Sequence, residues 1–233
     1  MKKIIVVVIG LIIAGIVVGI NAGNDKERSV ATNLNITNIK DTIPKVALTF
    51  DDGPSGQYTE KLLQGLKERD VKATFFIVGK NTEGNSEIIK RMYEDGHLIG
   101  NHTYTHADLA KTDFHTACKE INDTNTCIEN ITGYTPKYIR PPYGDWDQRL
   151  LKETDMSVVL WTVDPEDWKD QNSSIVASRV LKNVRPGDII LLHDIFKTSV
   201  DAAFIIIDKL QDKGYHFVTV DKMNSRKIIN KED

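Results

Sequence analysis

From residue 45 onward, apolar positions in this chain alternate between two rhythms. Short runs rich in β-branched and aliphatic residues, at 46–50, 73–78, 97–100, 138–140, 158–161, 189–192 and 216–220, have the length and composition of strands. Between them lie longer stretches, at 59–69, 86–95, 113–131, 147–154, 174–183 and 199–213, which read as helices. The first of these carries Leu62, Leu63 and Leu66 on one side. Gly96 and Gly214 stand where helices should stop. Repeated strand-then-helix order predicts an α/β fold, a mostly parallel sheet covered by helices.

The N-terminus follows a different pattern. A basic Met1-Lys2-Lys3 start precedes an uncharged apolar run over residues 4–20, then polar residues 21–25. That order predicts a signal peptide or a membrane anchor over residues 1–23. The run suits either: Ala22-Gly23 offers small residues for cleavage, whereas Ile20 is bulky for a cleavage site. In both cases the remaining chain works outside the cytoplasmic membrane. Residues 24–44 are polar and aperiodic and read as a tether. The globular domain is expected over 45–225, with a charged tail over 226–233.

Charge and cysteine content narrow the picture. The 30 basic residues are scattered among 33 acidic ones, for a net charge of −3, so no basic face for nucleic acid is expected. Cys118 and Cys127 fall nine residues apart in one predicted helix. That spacing sets them on opposite faces and about 13 Å apart along the axis, beyond disulfide reach, so free thiols are expected.

The chemistry gathers just after the strands. Thr49-Phe50-Asp51-Asp52-Gly53-Pro54-Ser55 ends the first, and His102-Thr103-Tyr104-Thr105-His106 follows the third. Adjacent acids beside Gly-Pro are also ordinary turn formers, and two histidines four apart are also common on surfaces. In an extended chain, however, neighbouring carboxylates point apart, so one can bind a metal while the other serves as a base. With Asp52, His102 and His106 make a two-histidine, one-carboxylate set with open coordination positions. Arg140-Pro141-Pro142-Tyr143-Gly144 is a restricted loop in which Arg140 can pair with a carboxylate and the Tyr143 N–H can receive an oxyanion. Asp164-Pro165-Glu166-Asp167-Trp168 follows the fifth strand, and His193-Asp194 ends the apolar strand 189–192.

No Gly-x-Gly-x-x-Gly follows a strand, which removes the main support for an open dinucleotide-binding sheet. Asp51, His102, Arg140, Asp164 and His193 all sit at the C-terminal ends of different strands, and a ring of strands brings such ends to one mouth. The expected architecture is therefore a distorted (β/α)7-8 barrel, a single catalytic domain with imperfect closure.

Five ordered motifs over about residues 46–220 make the chain resemble the polysaccharide deacetylase family, the carbohydrate esterase family 4 with its NodB-homology domain. The resemblance implies a distorted barrel and metal-dependent removal of acetyl groups from N-acetylated sugars. It implies Asp52, His102 and His106 as ligands of a divalent ion, zinc first, with cobalt or another transition metal as alternatives. It further implies Asp51 as general base, Arg140 as its orienting partner, His193 as general acid and Asp164 as the residue tuning His193. Tyr143 would offer its N–H to the oxyanion, and Trp168 and Leu191 would wall the acetyl pocket. Phe196, where relatives often carry small residues, is expected to narrow or line the substrate groove. The expected substrate is N-acetylglucosamine in peptidoglycan, with chitin-like glycans, acetylated xylan and an inactive sugar-binding module as alternatives. A non-haem iron oxygenase would share the ligand set, but the base and acid argue for hydrolysis. The expected protein is a monomer that binds cell-wall polysaccharide and meets the membrane through its N-terminal segment where that segment is uncleaved.

Overall fold

Strand β1 (Lys45–Asp51) is the axis of the sheet, and all of its residues after Lys45 are buried. It has parallel partners on both edges, β2 (Thr74–Ile77) and β6 (Ile189–His193). A strand enclosed on both faces needs apolar side chains along its length, which explains the near-continuous run 46–50. In this computed structural model residues 43–229 are described. The apolar segment 1–23, most of the tether and residues 230–233 lie outside the described residues. Among the described residues no helix is long and apolar enough to cross a membrane.

The sheet runs β6-β1-β2-β3-β4-β5-β8, where β3 is Leu98–Asn101, β4 Tyr138–Ile139, β5 Ser157–Val159 and β8 Ile228–Ile229. A further strand, β7 (His216–Phe217), pairs with the first two residues of β1. Every pairing is parallel except β5 with β8. The chain leaving β5 then reaches β6, where Val163 bridges Ile190 and the Leu191 N–H donates to Val163 O at 3.0 Å. An isolated bridge, not a ladder, closes the ring, and the expected distorted barrel results.

Alternation along the strands sorts side chains between two compartments. Val46, Leu48 and Phe50 of β1, with Phe75 and Ile77 of β2 and Ile190 and Leu192 of β6, join the large core under the helices. Ala47, Phe76, Val159 and Ile189 belong to a separate small cluster. The helices of the large core are α1 (Gln57–Glu68), α2 (Ser86–Glu94), α5 (Ser173–Asn183) and α6 (Lys197–Asp212), with Ile128 of α3 (Phe114–Thr132). The other end of α3 packs with α4 (Arg149–Thr154) over β4 and β5.

Two expectations change. The last parallel strand is shorter than 216–220, because it pairs only with Lys45 and Val46 before the chain turns into a 3-10 segment, Val220–Lys222. Nor is the stretch after 225 simply a charged tail. Ile228 and Ile229 lie antiparallel to Val159 and Val158, covering an edge that β5 would otherwise leave unpaired.

Helix α3 runs unbroken from its N-cap, where Asp113 accepts from the Thr116 N–H at 3.0 Å, to Gly133, whose φ of 72° ends it. Cys118 and Cys127 both lie on it and both are free. Thiol titration of the unfolded, unreduced protein should therefore find both cysteines reactive; a count of zero would overturn this arrangement.

Candidate active site

Strand register carries the chemistry to one rim. Asp51 lies opposite His193 on one side and Phe76 on the other, and Asn101 lies opposite Ile139. The next residues of β3 and β4, His102 and Arg140, therefore emerge together, with the Arg140 N–H donating to Asn101 O at 3.0 Å.

Arg140 is fully buried. Its Nη1 donates to Asp51 Oδ1 and to Thr49 Oγ1, each at 2.8 Å, and its Nε to Val159 O at 3.1 Å. The guanidinium also stacks over Phe76 at 4.3 Å. Burial draws the Arg140 pKa below its usual value, and the Asp51 carboxylate opposes that. The pairing expected for Arg140 is present, and it leaves Asp51 Oδ2 facing the cavity side, 3.8 Å from His102 Nε2.

Asp52 Oδ1 lies 3.4 Å from His102 Nε2 and 3.3 Å from His106 Nε2. These separations are long for hydrogen bonds, and Asp52 Oδ1 is buried without a partner. They match the edge of a tetrahedron of ligands about 2.0–2.1 Å from a zinc ion, roughly 3.3 Å. His102 Nδ1 contacts Arg140 O at 2.5 Å, so a proton on Nδ1 leaves the Nε2 lone pair toward the cluster. Burial would raise the Asp52 pKa, but the adjacent His102, with the charges of His193 and His106, wins and lowers it. Burial lowers the His106 pKa. An anionic carboxylate and neutral imidazole are the forms a metal takes. The residues present fit a divalent ion.

The convergence of His102 and His106 is not helical. The Asn101 side-chain oxygen accepts from the Thr103 N–H at 2.7 Å, and the Thr103 hydroxyl accepts from the Ala107 N–H at 2.9 Å. Asp52, Thr103 and His106 all take left-handed backbone angles, with φ of 73°, 63° and 66°.

On the neighbouring strand β6, His193 corrects the sequence expectation. Its partner is Asp167, not Asp164. Asp167 is fully buried and receives both the His193 backbone N–H and His193 Nδ1, each at 2.8 Å. Asp164 instead accepts from the Glu166 N–H at 2.8 Å, closing the turn that swings Asp167 behind β6. Asp-Pro is a turn signature that already employs the first acid, and this signal could have pointed to the second. Burial lowers the His193 pKa, but the Asp167 hydrogen bond and charge, helped by Asp51 and Asp52, push it up to about 9.

Asp194 was not singled out from the sequence. Its buried carboxylate accepts from Thr59 Oγ1 at 2.5 Å, and its backbone oxygen accepts from Ser55 Oγ at 2.8 Å. A Cβ on Gly53 would sit 2.2 Å from Asp194 Oδ1, so only glycine lets the two loops meet. Burial pushes the Asp194 pKa up to about 7.

The site opens into one cavity of about 400 Å³. Asp51, Asp52, His102, His106, Asp164 and His193 face it, with Tyr143, Trp168 and Leu191 among its walls. Trp161 is an additional wall. Tyr143, at φ 64°, stands edge-on to His106 with ring centroids 5.2 Å apart. Phe196 stands edge-on to His193, with centroids 6.4 Å apart.

The His193–Asp167 pair has a measurable signature. The His193 pKa is raised, so the stabilisation of its charged form is full below the ordinary value of 6.5 and is lost as pH rises through about 9. In NMR titration of the metal-free protein, Asp167→Asn should return the His193 imidazole toward 6.5, and Asp164→Asn should leave it near the wild-type value. The reverse ranking would restore Asp164 as the partner.

The sequence pattern of the polysaccharide deacetylase family matches residues 38–158. The peptidoglycan-N-acetylmuramic acid deacetylase PdaC of Bacillus subtilis is 44% identical over 182 residues, covering 78% of this chain and 39% of that protein. A solved structure of the peptidoglycan deacetylase PdaC from Bacillus subtilis superposes with a TM-score of 0.76, over 78% of this chain and 90% of the solved one. A peptidoglycan-N-acetylglucosamine deacetylase of Bacillus cereus is 44% identical over 186 residues, covering 77% of this chain and 68% of that protein. A family 4 acetyl xylan esterase from Clostridium thermocellum, solved with a cobalt ion, is 38% identical with a TM-score of 0.72, covering 76% of this chain and 89% of that one. The chain thus spans about two fifths of the length of the first Bacillus subtilis relative. Ordered motifs, a ring of parallel strands and these likenesses agree, and the chain belongs to the polysaccharide deacetylase family.

Proposed function

We propose that this domain is a metal-dependent hydrolase that removes acetyl groups from N-acetylglucosamine in peptidoglycan, releasing acetate and leaving a free amino sugar. The observation that carries the reading is a pair of held groups sharing one cavity with the ligand set. Asp51, fixed by Arg140, and His193, fixed by Asp167, are register partners on neighbouring strands and line the same cavity as Asp52, His102 and His106.

Asp52, His102 and His106 would hold the ion, zinc by preference. When bound, it would supply Lewis acidity for the acetyl carbonyl and lower the pKa of an attacking water toward about 7. The protein's own groups do the rest. Asp51 takes the proton of that water as the C–O bond forms. The Tyr143 N–H is the donor assigned to the developing oxyanion. His193, held as imidazolium by Asp167, gives its proton to the amine nitrogen as the C–N bond breaks. Trp168, Trp161 and Leu191 wall the cavity and can exclude water around the acetyl methyl.

The relatives named as peptidoglycan deacetylases support the wall as substrate, and the reading takes the domain to act outside the cytoplasmic membrane as a monomer. Residues 1–23 then serve as a cleaved signal or a retained anchor. The likeness to an acetyl xylan esterase makes O-acetyl xylan the comparison substrate.

Chelator-treated protein should release no acetate from peptidoglycan, and zinc or cobalt should restore release. Release from acetylxylan or chito-oligosaccharides alone would move the substrate assignment. Asp51→Asn should lower kcat by about 10²–10⁴-fold, the usual worth of a general base, while its metal content stays at the wild-type level. His106→Ala should instead lower the metal bound per chain, and an unchanged stoichiometry would remove it from the ligand set.

A further inference from the structure

A second cavity, of about 520 Å³, adjoins the first and shares Asp52, His106 and Tyr143 with it as a common wall. The two therefore form one groove that passes the ligand set. The second cavity is also lined by Lys80, Asn81, Thr105 and Ile195, and its size lies within the usual range of small-ligand sites.

The lysine is held there by its backbone. After β2 the chain turns through Gly79–Thr82, pinned to the histidine-bearing loop by Gly79 N–H to Thr103 O and Lys80 N–H to Tyr104 O, each at 2.9 Å. A Cβ at Gly79 would lie 2.5 Å from the Tyr104 ring, so this close contact needs glycine. Asn81 ties the same turn to the first motif, its Nδ2 donating to Asp52 O at 2.8 Å. The backbone of Lys80 is thus fixed relative to the reaction centre, and its side chain is exposed.

Its charge is unclaimed. Among the described residues no carboxylate lies within ion-pair distance of Lys80, although most lysine ion pairs here are short surface contacts. The nearby Glu120 is committed to Thr105, accepting from its N–H at 2.7 Å and its hydroxyl at 3.0 Å. Tyr143, 70% exposed, stands where the two cavities meet, and Trp168, 52% exposed, lines the first. Rigid exposed aromatic faces suit sugar rings, which present C–H groups on one side.

We propose that the second cavity binds the sugar adjoining the one that loses its acetyl group, and that Lys80 selects an acidic substituent on that sugar. The proposal deepens the peptidoglycan reading and rests on it. In peptidoglycan every second sugar carries a lactyl group, whose carboxyl is a free acid where the stem peptide has been removed and otherwise leads into a peptide with carboxylates of its own, whereas a chitin-like glycan has no acid to offer. A partnerless cation in the groove wall discriminates between these two by charge, not shape.

The test compares wild type with Lys80→Gln and Lys80→Glu on two probes. One is a neutral N-acetylglucosamine oligomer; the other is peptide-stripped glycan strands with free lactyl carboxylates. Lys80→Gln should raise KM on the acidic strands about three- to tenfold more than on the neutral oligomer, the scale of one solvent-exposed polar contact. Lys80→Glu should widen that gap, and salt near 0.5 M should narrow the wild type's preference by screening. Equal losses on both probes, or no loss on the acidic strands, would overturn the role of Lys80 and leave the peptidoglycan reading standing. Acetate release by wild type from the neutral oligomer alone would overturn both.

Discussion

One buried ion pair organises this domain. Arg140 reaches from the end of β4 across the barrel to Asp51 on β1, and donates to the carbonyl oxygens of Val159 and Leu160 at the end of β5 on the way. Its backbone oxygen meets His102 Nδ1. A single side chain thus touches the base, and its own carbonyl sets the tautomer of a metal ligand. A charge buried this completely is tolerable because its donors are satisfied and its face is covered by Phe76 and Trp161. Removing either partner of such a pair leaves an uncompensated charge, at a cost of about 3–5 kcal/mol. Stability and catalysis therefore constrain the same two residues.

Around that pair the backbone is held in unfavourable conformations. Asp52, Thr103, His106 and Tyr143 are all left-handed, and each such residue costs about 1–2 kcal/mol. The surroundings overdetermine them. Asn101 braces the histidine loop against α3, through bonds of 2.8 Å to Ile121 O and Asn125 Oδ1. Asp194 braces the Asp51-Asp52 loop through Thr59, Ser55 and the space left by Gly53. Strain concentrated at the ligand set is the expected mark of side chains aimed at a ligand rather than at one another.

The two held groups, side by side on β1 and β6, differ in electrostatic design. On the Asp51 side a fixed cation holds a carboxylate; on the His193 side a buried carboxylate holds an imidazolium. Each partner sits out of the cavity and fixes both the orientation and the charge of the group that faces it. The arrangement gives one base and one acid in the same pocket without letting them pair directly.

Much of this was legible in the chain because it is local. Apolar rhythm gave strands and helices within a few residues. The C-terminal ends of strands carry chemistry in any ring of parallel strands, so Asp51, His102, Arg140 and His193 could be assigned to one mouth from position alone. Assignments that depend on how a turn folds back were not available. Asp164 and Asp167 are equally plausible partners for His193 on paper, and the Asp164–Glu166 turn decides between them by placing one carboxylate behind β6. Asp194 reads as an ordinary acid after a histidine until its contact with Gly53 appears. Ile228 and Ile229 carry too little pattern to predict a strand, and the open edge of β5 makes them one. Sequence determined which residues could do chemistry, since residue type and strand position are local properties. Tertiary structure decided which of them touch, since hydrogen-bond distances between segments far apart in the chain are set only when the ring closes.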